Sequence, residues 1–160
     1  MNVFSGTALI EHWDGSAWAR IRPRLPAAVS LLTDVAAVSG RDAWAVGLLR
    51  NNQTLTLRWD GTAWHRVPSP CTRECELAAV AAASGRDVWA AGSASQKPLT
   101  LHWDGKAWRR VPAPAAGGGY LIGLTAVSAR DLWAVGHTDL NAITGNAAII
   151  IEHWTGLAWH

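Results

Sequence analysis

The segment Trp13-Asp-Gly-Ser-Ala-Trp18 recurs as Trp59-Asp-Gly-Thr-Ala-Trp64 and as Trp103-Asp-Gly-Lys-Ala-Trp108. It returns in altered form as Trp154-Thr-Gly-Leu-Ala-Trp159. Between the copies lies a second motif: Asp42-Ala-Trp-Ala-Val-Gly47, Asp87-Val-Trp-Ala-Ala-Gly92 and Asp131-Leu-Trp-Ala-Val-Gly136. Self-similarity at a fixed period of about 45 residues is the signature of a repeat architecture. All 11 Trp fall within these two motifs, so the repeat accounts for the unusual Trp content.

One unit, Leu77 to Pro112, reads as four short strands. Leu77–Ser84 is a strand of small residues, and Gly85-Arg86 is a turn signal. Val88–Gly92 is the second strand, Ser93–Lys97 a loop, and Leu99–Trp103 the third strand. Asp104-Gly105 is a hairpin signal, because these residues tolerate positive φ. Ala107–Pro112 is the fourth strand, stopped by a proline that cannot donate to a ladder. Four strands per roughly 45 residues is the unit of a β-propeller blade. No segment shows the 3.6-residue apolar period of a helical solenoid. The innermost strands (Leu32–Ser39, Leu77–Ser84, Leu121–Ser128) are built of small residues, as a crowded axis requires, and the bulk sits further out. The reading is an all-β chain, a partial β-propeller of about three and a half four-stranded blades. Residues 1–31 form a half blade, and 32–70, 77–114 and 121–160 form blades, the last with a truncated final strand. Trp44, Trp89 and Trp133, mid-strand beside small residues, are expected to be buried.

The motif series Asp-x-Trp-Ala-Val-Gly, Thr-Leu-x-x-Trp-Asp-Gly-x-Ala-Trp and Val-Pro-x-Pro resembles tandem Trp-rich propeller repeats of bacterial proteins. More loosely it is similar to tectonin repeats and to the Asp-box blades of sialidase-like propellers. The resemblance covers nearly the whole chain. It implies a propeller fold and leaves the function open, because this fold hosts enzymes, lectins and scaffolds alike.

Hydrophobic residues make up 49% and charged residues 16%, which argues against disorder. The net charge of +2 is spread along the chain without a basic block, so nothing points to nucleic acid. No apolar run reaches the roughly 18 residues of a membrane span, and the N-terminus lacks the features of a signal peptide. Ala8–Trp13 already matches the repeat, so the chain opens in mid-repeat. That implies either a longer array or completion by another chain.

Asp14, Asp60 and Asp104 read as hairpin residues. His12, His102 and His153 fall at equivalent places on separate blades, too far apart to share a metal, and no metal or cofactor is expected. Cys71 and Cys75 have no counterpart in the other repeats. They are expected to form a small local disulfide, which would favour an extracytoplasmic location, with two free thiols as the alternative. Glu11 and Glu152 stand where the other repeats have Leu57 and Leu101. No nucleophile elbow or phosphate loop is present.

Residues shared by all repeats serve the fold, so function should sit where the repeats differ. Three loops differ: Cys71–Glu76, Gly117–Tyr120 and His137–Asn146. From the last, His137, Asp139 and Asn141 are candidate ligand contacts. The hairpin-end tryptophans Trp18, Trp64, Trp108 and Trp159 are expected to be partly exposed, and the first three are candidate ligand-stacking rings. The expected role is non-enzymatic binding or assembly. A carbohydrate-binding lectin-like propeller is the alternative, and a fragment of a larger propeller enzyme such as a glycosidase is the third. The expected partners are further repeats or a second copy to close the ring, and a protein or glycan ligand. Two copies would offer six inner strands.

Overall fold

The computed structural model describes residues 9–21, 23, 30–113, 118–139 and 147–160. It is antiparallel β throughout, with no helix among these residues. Accordingly, no helix is long and apolar enough to cross a membrane. A hairpin, β1 (Ile10–Trp13) and β2 (Trp18–Ile21), precedes the first blade. That blade comprises β3 (Ser30–Ser39), β4 (Asp42–Leu49), β5 (Thr54–Trp59) and β6 (Trp64–Arg66). The second comprises β7 (Cys75–Ser84), β8 (Asp87–Ala94), β9 (Lys97–Trp103) and β10 (Trp108–Val111). The third has β11 (Tyr120–Ser128), β12 (Asp131–His137) and β13 (Ile149–Trp154), with a single bridge from Trp154 to Trp159 in place of a fourth strand.

Each motif has a local physical cause. In the Asp-Gly hairpins, one carboxylate oxygen accepts from the two amides that follow the glycine. Asp60 Oδ1 accepts from Thr62 N and Ala63 N, both at 2.8 Å, and Asp104 Oδ1 accepts from Lys106 N and Ala107 N, both at 2.9 Å. The glycine takes the positive φ, 95° at Gly61 and 88° at Gly105. The glycine that ends Asp-x-Trp-Ala-x-Gly has a different cause. The first strand of each blade bulges, between Leu32 and Asp34, Leu77 and Ala79, and Leu121 and Gly123. The bulge drives a backbone carbonyl against Gly47, Gly92 and Gly136, where any Cβ would overlap it.

The blades meet through tryptophan. Trp44 contacts Trp103 and Trp108 of the second blade, with ring centroids at 4.9 and 5.2 Å. Trp89 meets Trp154 and Trp159 of the third, at 4.7 and 5.5 Å. Nearer the axis, Thr33 Oγ1 donates to Leu77 O at 2.7 Å, and Val80 N donates to Asp34 Oδ2 at 2.8 Å. Burial of one such ring removes on the order of 150–250 Å² from water, which makes these seams the main cores.

Three expectations need correction. Trp133 is 42% exposed, not buried: its ring stacks on His153 of its own sheet, and among the described residues no tryptophan pair of another blade encloses it. Trp64, Trp108 and Trp159 are buried, not partly exposed; in Trp108 and Trp159 a ring of the preceding blade covers them, and in Trp64 the apolar residues of its own blade and the first hairpin do so. Trp18 is exposed as expected. The segment Ser93–Lys97 is not a loop: β8 and β9 continue to a two-residue turn at Ser95-Gln96, both with positive φ. The repeat pattern places the N-terminal hairpin over Ala8–Arg22; the described strands run from Ile10 to Ile21, and Ala8 and Arg22 lie outside the described residues.

Candidate functional site

The described parts of the three loops that break the repeat, Cys71–Glu76, residues 118–120 and residues 137–139, lie at one end of the arc. β7 and β11 begin there, and the β4–β5 and β8–β9 turns face them. The loop from Cys71 to Glu76 is held by Cys75 N donating to Asn52 O at 3.1 Å and by Thr54 Oγ1 donating to Cys71 O at 2.7 Å. Cys71 and Cys75 are joined as a disulfide, with Cα atoms 6.1 Å apart. Ser95 N donates to Glu74 O, and Ser95 Oγ to Glu74 Oε2, both at 2.8 Å. Gly119 N donates to Gln96 O at 2.7 Å, which ties the next inter-blade loop to the same turn.

These ties frame a polar cavity of about 300 Å³, lined by Asn52, Glu74, Glu76, Ser95, Gln96 and Tyr120. A second hollow of about 520 Å³ adjoins it at Tyr120, His137, Asp139 and Ala147. Tyr120 belongs to both. Among the described residues the non-glycine residues with positive φ are Asn52, Glu74, Ser95 and Gln96, and all four line the first cavity. Backbone held in that region concentrates at sites that position other groups. The Tyr120 phenol is pushed above its ordinary pKa by desolvation, reinforced by the Asp139 and Glu76 carboxylates. The site therefore offers carboxylate acceptors around one aromatic ring.

Of the residues singled out in the sequence, His137 and Asp139 lie at this face. The His137 and Tyr120 rings are 5.7 Å apart. Asn141 lies outside the described residues. Trp18 is on the first hairpin, and Trp64 and Trp108 are enclosed between strands, so the structure does not bring these rings to the face. Glu74, Glu76 and Tyr120 fell inside the divergent loops but were not individually legible. Gln96 and Asn52 carried no signal, since they sit in turns without glycine.

Two of the histidines at equivalent positions, His102 and His153, have structural partners. His102 Nε2 lies 2.9 Å from Asp87 Oδ1, and its ring stacks on Trp89 at 4.4 Å. His153 repeats this with Asp131 and Trp133, at 2.9 and 4.1 Å. In the first blade, Arg58 takes the same place, bonding Asp42 through two nitrogens at 3.0 Å and lying over Trp44. Among the described residues no cluster of His, Cys, Asp and Glu has a metal-binding arrangement. A separate apolar slot of about 450 Å³ lies between the first hairpin and the first blade, bounded by Ile10, Ile21, Leu32, Ala43, Trp59 and Trp64.

No family model matches the chain, and no curated protein matches it. Solved structures do. One, described as YCF48 bound to D1 peptide, superposes with a TM-score of 0.56 at 18% identity, over 82% of this chain and 40% of that one. The chain thus spans about two fifths of that structure's length. A fucose lectin from Kordia zhangzhouensis, in complex with methyl-fucoside, superposes with a TM-score of 0.52 at 13% identity, over 79% of this chain and 94% of that one. At these identities the likeness speaks for the fold, and the fold of this chain is that of a partial β-propeller.

Proposed function

We propose that the chain is a non-enzymatic propeller module for binding or assembly, and that its ligand seats where the described parts of the divergent loops lie together, around Glu74, Glu76, Tyr120 and Asp139. The observation that carries this reading is the convergence itself. Residues common to the repeats build turns and seams, whereas Glu74, Glu76, Tyr120 and Asp139 are not shared between the repeats and lie on one face. Rigid strands beneath divergent loops are the usual arrangement of a binding surface. Carboxylates beside an aromatic ring suit a protein segment bearing Lys or Arg. The motifs support assignment of the repeat to the Trp-rich tandem kind. The arc continues in further repeats or in a second copy, and the Cys71–Cys75 pair favours an extracytoplasmic setting.

A lectin reading stands second. Sugar hydroxyls donate to carboxylates, and a sugar's apolar face stacks on an aromatic ring, which here is Tyr120. Of the similar structures described above, one is a fucose lectin and another a peptide complex, so both readings have a precedent on this fold. A glycosidase reading gains no support from either.

Parallel screening of the protein on peptide and glycan arrays tests the proposal. Any specific hit should weaken about tenfold or more, about 1.4 kcal/mol, in Glu76→Gln and Tyr120→Ala. Hits on basic peptides favour the first reading and hits on glycans the second. Hits indifferent to both substitutions would overturn the site.

A further inference from the structure

The chain carries four tryptophan pairs of one geometry. Ring centroids are 5.7 Å apart in Trp13–Trp18 and in Trp59–Trp64, 6.0 Å in Trp103–Trp108 and 5.8 Å in Trp154–Trp159. Two of the pairs hold a third ring from the preceding blade. Trp44 enters Trp103–Trp108 and meets Trp108 edge-on at 87°; Trp89 enters Trp154–Trp159 and meets Trp159 at 85°. The Trp59–Trp64 pair is packed against Ile10 and Ile21 of the first hairpin. Trp13–Trp18 is the open pair, with the rings 48% and 67% exposed.

At the other end of the arc stands a ring of the entering kind. Trp133 lies in Asp131-Leu-Trp-Ala-Val-Gly136, the same motif that carries Trp44, and its ring is held flat against His153. Val135, Ile149 and Ile151 surround it on an exposed apolar face. Among the described residues, no tryptophan pair receives it.

We propose that a second copy of this chain supplies the missing half: Trp133 of one copy enters the Trp13–Trp18 pair of the next. The inference rests on the assembly part of the reading above. The two internal seams show what fits such a face, and both surfaces needed to make a third seam are present and open on the same chain. The charge on the receiving hairpin is compatible. Glu11 holds the position that Glu152 holds in the seam between the second and third blades, where a carboxyl is already buried. The two surfaces differ, so the contact is head-to-tail. Two copies then close with two identical seams, or copies continue as a filament.

Light scattering coupled to size-exclusion chromatography, on the full 160-residue chain at about 100 µM, tests this. The wild type should be a dimer or larger. Trp133→Glu and Trp18→Glu should each be monomeric, with unchanged circular dichroism. An equal mixture of the two should give a one-to-one heterodimer, because Trp133 of the Trp18→Glu copy still meets an intact pair on the other. If either glutamate variant loses its strand signal, Trp133→Ser and Trp18→Ser take their place. A monomeric wild type overturns the inference. So does a mixture that fails to associate. A Trp18→Glu variant that assembles like the wild type also overturns this seam, while leaving the broader assembly reading intact.

Discussion

The ring of Trp44 lies 4.9 Å from that of Trp103, across the boundary between two blades. Neither ring is buried by its own sheet alone. A tryptophan on the second strand of one blade is enclosed by the third and fourth strands of the next, and the 4.7 Å contact of Trp89 with Trp154 repeats the arrangement. Stability in this chain is therefore a property of seams.

Trp89→Ala should be strongly destabilising. The ring is 1% exposed and touches two further indoles, so its removal leaves a cavity that the β-sheets cannot close. The expected loss is roughly 3–5 kcal/mol, against less than about 1 kcal/mol for the exposed Trp133→Ala in the monomer. Urea unfolding of both variants measures the difference. Equal losses would contradict the seam account.

Glu152→Leu should stabilise. Glu152 occupies a position filled by leucine in the two preceding blades, and its Oε2 is buried without a hydrogen-bond partner. Desolvation raises its pKa. For an acid raised in the folded state, stability falls as pH rises above the unfolded value near 4.5. Leucine removes that slope, with a gain on the order of 1 kcal/mol at neutral pH. Thermal unfolding between pH 4 and pH 8 reads both effects; a lower melting temperature for Glu152→Leu would refute them.

The hairpin aspartates act in the opposite direction. Asp14 is lowered to about 2, chiefly by the Ala17 amide and then by the Ser16 hydroxyl. Asp60 is held well below the usual carboxylate range, first by the Thr62 hydroxyl, and Asp104 likewise, first by Arg109. Acids depressed in the folded state contribute stability above their unfolded pKa near 4 and lose it as pH falls toward 2. Asp60→Asn should be less stable at pH 7 and should lose less stability on acidification. A parallel pH profile would show that the turn does not depend on the charge.

Much of this architecture was legible in the sequence. Asp-Gly between two tryptophans announced each outer hairpin, and the Asp-x-Trp-Ala-x-Gly spacing located the second strand. What could not be read was burial that depends on a neighbour. Trp64, Trp108 and Trp133 carry the same local patterns as their counterparts elsewhere in the chain, and only the presence or absence of packing from another element decides their exposure. The Ser95-Gln96 turn was hidden because neither residue advertises positive φ. At the candidate site, divergence from the repeat singled out loops whose described parts lie at one face. The particular groups, Glu74, Glu76 and Tyr120, came from the way β7 and β11 start side by side.

The Cys71–Cys75 bridge should be present in protein purified in air. Thiol titration of the unfolded, unreduced chain should find no free thiol. Two free thiols would remove the basis for favouring an extracytoplasmic location.

The most direct test of the binding account is to map a ligand from the arrays onto the isotope-labelled protein by NMR. The account predicts that amide shifts concentrate at Glu74, Glu76, Gln96 and Tyr120, with smaller changes at His137 and Asp139. Shifts confined to the apolar slot around Ile10 and Trp59, or spread over the blade seams, would contradict it.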